Sequence, residues 1–82
     1  IDFDGDVVAV DPAAGTFTLE DGVVYHVAAD TRFDDDGDLF SLAEMAEALS
    51  EGLTLDVDGE AVADASVPGG LRVLELEVEV ED

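Results

Sequence analysis

Five aspartates, Asp30, Asp34, Asp35, Asp36 and Asp38, fall within nine positions of one another. Hard cations are the chemistry such a run invites, because Ca²⁺ gathers six to eight oxygen ligands from acidic loops. The EF-hand spacing does not fit. With Gly37 as its sixth position the first ligand would be Arg32 and the twelfth Ala43, and with Gly59 they would be Thr54 and Ala65. What stays open is a Ca²⁺ site of another loop type on Asp34, Asp36 and Asp38. The competing reading is a loop leading into a helix, whose acids favour the positive end of the helix dipole. The single histidine, His26, allows no multi-histidine metal site and no Ser-His-Asp triad with a histidine to spare. It reads as an exposed strand residue beside Thr16. Ser41, Ser50 and Ser66 lie in cap and turn contexts. Paired carboxylates suit glycoside chemistry, but 23 acids form pairs by chance, and no aromatic platform accompanies them. The residues predict a protein that is not an enzyme and has no bound cofactor, Ca²⁺ being the one alternative.

The charge is the dominant chemical fact. Asp and Glu number 23 against two Arg and no Lys, for a net charge of −21. Such a field repels phosphate backbones, whose binding depends on Lys and Arg displacing counterions, and it repels anionic membrane surfaces as well. No apolar run approaches the ~20 residues of a membrane span. Nucleic acid and membrane insertion are therefore excluded as expectations. Hydrophobic content of 48% suffices for a core, so the chain is not a disordered acidic tail. Residues 1–82 read as one domain. Cysteine is absent, which removes disulfides and thiolate metal sites. The chain starts at Ile1 instead of Met and both its ends read as strands, which predicts one module of a longer protein.

The element written most clearly is a helix at about 41–51. Ser41 and Glu44 make a capping box, S-x-x-E, and Phe40 with Met45 is placed to close a hydrophobic staple. Leu42, Met45, Ala46 and Leu49 form one apolar stripe, and Gly52 is a left-handed C-terminal residue from which Leu53 folds back on Ala48 or Leu49. Before the helix lie three strand-like runs. Ile1–Val10 alternates with a slip at Val7-Val8 that reads as a β-bulge, Val8 and Val10 continuing the apolar face. Thr16–Glu20 and Val23–Ala28 form a hairpin. A three-residue loop, Glu20-Asp21-Gly22, sets Phe17 opposite Tyr25 and leaves Thr16, Thr18, Val24 and His26 outside. Ala29–Asp38 is then a loop. After the helix come Leu53–Val57, with a bulge or turn at Asp58-Gly59 before Glu60–Ala63, and a long strand Leu71–Glu81. On that last strand Leu74, Leu76, Val78 and Val80 share the inner face.

The order β-β-β-α-β-β predicts a mainly β fold, a small five-stranded OB-like barrel with its helix between the third and fourth strands. Strands five, four and one are then neighbours, and three acid rows meet: Glu75, Glu77 and Glu79; Asp56 and Asp58; Asp2, Asp4 and Asp6. Like charges opposed across a ladder each cost a few tenths to ~1 kcal/mol. The Debye length is about 8 Å at physiological salt against ~4.8 Å between strands, so screening is incomplete until salt is molar. A fold adapted to high salt is expected. The run GDVVAVDPAAGTFTLEDG, a Thr-x-Phe pair (Thr31, Phe33), the Ser-Leu start of the helix and Gly52 before a strand resemble a family of uncharacterised bacterial OB-like barrel domains, repeated in secreted and envelope proteins. The resemblance implies the barrel and an extracellular or cell-envelope setting, and it transfers no catalytic residue. The expected role is a structural or assembly module of a secreted or cell-surface protein. Its partners would be neighbouring domains or copies of itself, joined through edge strands such as Leu71–Glu81. The alternative is a calcium-dependent binding module with the metal in the Asp34–Asp38 loop.

Overall fold

The computed structural model describes residues 1–81. Along them run β1 (Asp2–Asp11), β2 (Thr16–Leu19), β3 (Val24–Phe33), α1 (Leu42–Ser50), β4 (Thr54–Ala63) and β5 (Leu71–Glu81), with a short 3-10 turn at Pro68–Gly70. The strands close a barrel in the order β1-β2-β3-β5-β4, β4 returning to β1. Every neighbouring pair is antiparallel except β3 and β5. This is the mainly β, five-stranded barrel with one helix between the third and fourth strands that the element order predicts.

Inside lie Phe3, Phe17 and Tyr25, whose rings cluster at centroid separations of 4.4 to 6.0 Å. Around them pack Leu19, Leu55, Val57, Val73, Leu76 and Val78, all 1% exposed or less. Met45 on α1 is fully buried and α1 lies against β1 and β4, so the helix closes one end of the barrel. Ser41 caps it, its Oγ accepting from the Glu44 N–H at 3.1 Å. Glu44 returns a carboxylate to the Phe40 N–H, one residue earlier than in the usual capping box. At the other end Gly52 sits at φ +85°, its N–H donating to Leu49 O and that of Leu53 to Ala48 O. That pair of bonds is the Schellman arrangement.

The β2–β3 turn follows the three-residue loop. Phe17 pairs with Tyr25, Gly22 has φ +86°, and the Leu19 N–H donates to Val23 O.

Where the structure departs from expectation, irregular backbone is the cause. The bulge in β1 falls between Val7 and Ala9, and Val8, its extra residue, is 58% exposed instead of continuing the inner face. A second shift between Glu60 and Ala61 leaves Leu74 as the extra residue of β5, and it turns outward while Val73 takes the inner position. β3 runs to Phe33, five residues beyond Ala28, because Arg32 and Phe33 resume parallel pairing with β5 after Ala28–Thr31 bow out. Thr31 Oγ1 stitches the bow, accepting from the Ala28 N–H and donating to Val73 O. Phe40 is 47% exposed, and it is Ala48, not Ala46, that is buried with Met45 on the helix. β4 is continuous through Gly59, where a Cβ would lie 2.9 Å from both Leu76 Cα and Phe3 Cζ, and closer still to Glu75 O.

Candidate functional site

Pleating sends alternate residues of β1, β4 and β5 to the outer face, and the registers align them in rows. Asp2 pairs with Glu60 and Glu60 with Glu75; Asp4 with Asp58 and Asp58 with Glu77; Asp6 with Asp56 and Asp56 with Glu79. Nine carboxylates therefore form a three-by-three lattice on one side of the barrel. The expected acid rows are present, with Glu60 added because β4 does not turn at Gly59. The first row continues onto β3 and ends on a cation: Arg32 Nη2 lies 2.8 Å from Glu75 Oε2. The middle row has no such end. Beyond Glu77 comes the loop carrying Asp34 and Asp36, acid facing acid.

The proton equilibria follow this layout. Glu77 is pushed up to about 7, first by a carboxyl–carboxylate hydrogen bond with Glu79, then by partial burial, then by the charges of Glu79, Asp58 and Asp34. The Asp56 carboxyl is also raised, by burial first and then by Asp6, Glu79, Asp58 and Asp4. Asp64 goes the other way, to about 2, held by bonds from Ser66 and by Arg72, whose Nε is 3.0 Å away. Both arginines thus sit in local ion pairs.

Two groups of carboxylates bring one oxygen each within 4.8 Å of the others: Asp34, Asp36 and Glu77, and Asp6, Asp56 and Glu81. Of the expected ligand set Asp34, Asp36 and Asp38, the first two come together and Asp38 does not join them. Asp38 Oδ2 instead accepts the Val80 N–H at 2.8 Å. The loop is fastened along β5: the Asp34 N–H donates to Leu76 O at 2.8 Å and the Asp38 N–H to Val78 O at 2.6 Å. β5 therefore has β4 on one side, and on the other β3 followed by this loop. The strand edge expected to receive another copy is covered. Glu77 and the Asp6, Asp56, Glu81 group escape a reading by sequence proximity, since their members lie on different strands. The alternating glutamates of β5 are the signal, legible only once its register against β4 is fixed.

A carboxyl raised by a neighbouring acid is also what acid–base catalysis uses. Here that carboxyl lies on an open sheet face whose groove is lined by Asp, Glu and Arg32, with Phe3 and Leu76 buried beneath. The shift follows first from Glu79, the next acid along β5, and only then from burial and from Asp58 and Asp34 along its own row. Ser41, Ser50 and Ser66 are occupied in cap and turn hydrogen bonds. His26 differs from expectation, being half-buried between Thr16 and Arg72, with Gly15 packed against its ring and Nδ1 lacking a partner. Thr16, expected outside, is buried. Among the described residues no helix is long and apolar enough to cross a membrane.

No family model, no curated protein and no solved structure matches this chain.

Proposed function

We propose that this barrel is a non-enzymatic structural or assembly module, adapted to high salt and carried by a secreted or cell-surface protein. The observation that carries the reading is the carboxylate lattice on β1, β4 and β5, bordered by a single arginine. A lattice with strands ~4.8 Å apart is poorly screened at a Debye length of about 8 Å and well screened at about 3 Å in molar salt. The setting outside the cytoplasm rests on the resemblance of turn and core motifs to barrel domains of secreted and envelope proteins. Neighbouring domains or further copies are the partners the reading calls for, and strand addition at β5 requires its loop cover to leave. Thermal unfolding in increasing NaCl and KCl tests the proposal. Tm should climb steadily to molar salt with either cation, and a Tm indifferent to salt rules the adaptation out.

The second reading is a calcium-dependent module, favoured by the convergence of Asp34, Asp36 and Glu77. Millimolar Ca²⁺ at fixed ionic strength, with a chelator control, separates the two. A saturable Tm shift that Asp34→Asn abolishes supports the metal site, whereas a shift that tracks ionic strength alone removes it.

A further inference from the structure

The segment between Phe33 and Leu39 is fixed at its two ends by apolar side chains and along its length by hydrogen bonds to β5. Phe33 and Leu39 both pack against the core and act as anchors. Between them Asp34, Asp35, Asp36 and Asp38 are exposed, and only Gly37 is half-buried. The segment therefore holds on by polar contacts alone. Three reach β5: Asp34 N–H to Leu76 O, Asp38 N–H to Val78 O, and Val80 N–H to Asp38 Oδ2. Two more shape it from within, Asp36 N–H to Asp34 Oδ1 and Gly37 N–H to Asp34 O. The approach is tight, since a Cβ on Gly37 would lie 2.8 Å from Val78 O and 3.0 Å from Val78 N.

Charge works against this attachment. Asp34 and Asp36 each bring a carboxylate oxygen within 4.8 Å of one from Glu77. Glu79 lies next along β5 and Asp58 across on β4, and Arg32, the nearest cation on β3, is engaged with Glu75. Exposed hydrogen bonds and opposed like charges each contribute modest energies of comparable size, so three bonds holding the segment down are set against the carboxylate charges that push it away.

We propose that the 34–38 segment is a salt-closed strap on the outer edge of β5: screening lets it dock, and at low ionic strength the Asp34, Asp36 and Glu77 charges lift it while the barrel stays folded. Lifting frees the Leu76 and Val78 carbonyls and the Val80 N–H. The inference concerns this chain alone and holds whether or not copies assemble.

Residue-resolved amide hydrogen exchange tests it, because the Val80 N–H reports the strap and the Val27 N–H, bonded to Gly15 O at 2.8 Å, reports the barrel. Between about 0.1 M and about 2 M NaCl, Val80 protection should rise about tenfold or more beyond any rise at Val27. Glu77→Gln should bring low-salt Val80 protection up to the high-salt level. Gly37→Val, which wedges the strap off, should leave Val80 unprotected at every salt with Val27 still protected. Val80 and Val27 moving together with salt would overturn the proposal, because opening would then be unfolding of the whole barrel. A salt response of Val80 that Glu77→Gln leaves unaltered would overturn it equally, by removing charge as the cause.

Discussion

At the scale of the residue, the side chains that matter most are those whose surroundings contradict their type. Glu77 is a carboxyl raised to about 7 from 4.5. A carboxyl raised in the folded state stabilises most below its unfolded value and loses that contribution as pH climbs through the folded value. Between pH 4.5 and about 7, Glu77 therefore weakens the fold as pH rises, opposite to a salt-bridged carboxylate. Glu77→Gln should raise Tm at neutral pH and low salt and flatten the profile across that window, as scanning calorimetry at several pH values will show. Gly59 is the converse case, a residue whose only property is lacking a side chain. Glu75 O, Leu76 Cα and Phe3 Cζ leave no room for a Cβ. Gly59→Ala should cost about 1–3 kcal/mol by overpacking, measured by urea denaturation. The sequence marks Gly59 only as a bulge or turn, because sequence spacing carries no information about what approaches from the facing strand. Asp38 is similar: as an acid in an acid run it resembled a metal ligand, and only the register of β5 reveals it accepting the Val80 N–H.

Among the elements, α1 was the most legible, because its signals are local. Ser41, Glu44, Gly52 and Leu53 state its ends within a few residues of chain, and both ends form there, with Glu44 reaching the Phe40 N–H instead of that of Ser41. Ser41→Ala should cost about 1 kcal/mol through loss of the cap. Met45→Ala, at the fully buried centre of the plug, should cost about 2–5 kcal/mol. Calorimetry of both variants checks the order, and a cap variant costing more than the plug variant would mean that the helix is not held by its buried face. The β2–β3 hairpin was legible for the same reason, since a three-residue loop with Gly22 fixes which residues oppose. The strands were less so. The slip read at Val7-Val8 placed Val8 inside and alternation placed Leu74 there, but each is the extra residue of a bulge and turns outward, while Val10, Leu76 and Val78 keep the inner face. The continuation of β3 to Phe33 was hidden by Ala28–Thr31, a bow closed by a threonine hydroxyl and not by apolar periodicity.

For the whole molecule, closure of the barrel is what assembles the charge. Acid rows on separate strands were readable, but not that Glu60 belongs to them or that only one row ends on an arginine. Stability should peak in mild acid. Below it the Asp64 contribution, present above 3.8, is lost as pH falls toward about 2, and above it the raised Glu77 and Asp56 lose theirs. A Tm profile with its maximum near neutrality would contradict this. The register of β1 with β4 reaches further, into the order of events during folding. β1, β2 and β3 are joined by short turns, and β4 and β5 by one connection of seven residues, 64–70, so both sheets can form from local contacts. Asp2 meets Glu60, and Asp6 meets Asp56, only when the two halves dock across some fifty residues of chain. Two-thirds of the lattice belongs to the β4–β5 hairpin, and the last third is brought against it in the docking step. The electrostatic cost then falls largely on the barrier. Salt should raise the folding rate in a chevron by more than it lowers the unfolding rate. For such a chain ionic strength decides how soon a newly made copy becomes a barrel as much as how long it remains one.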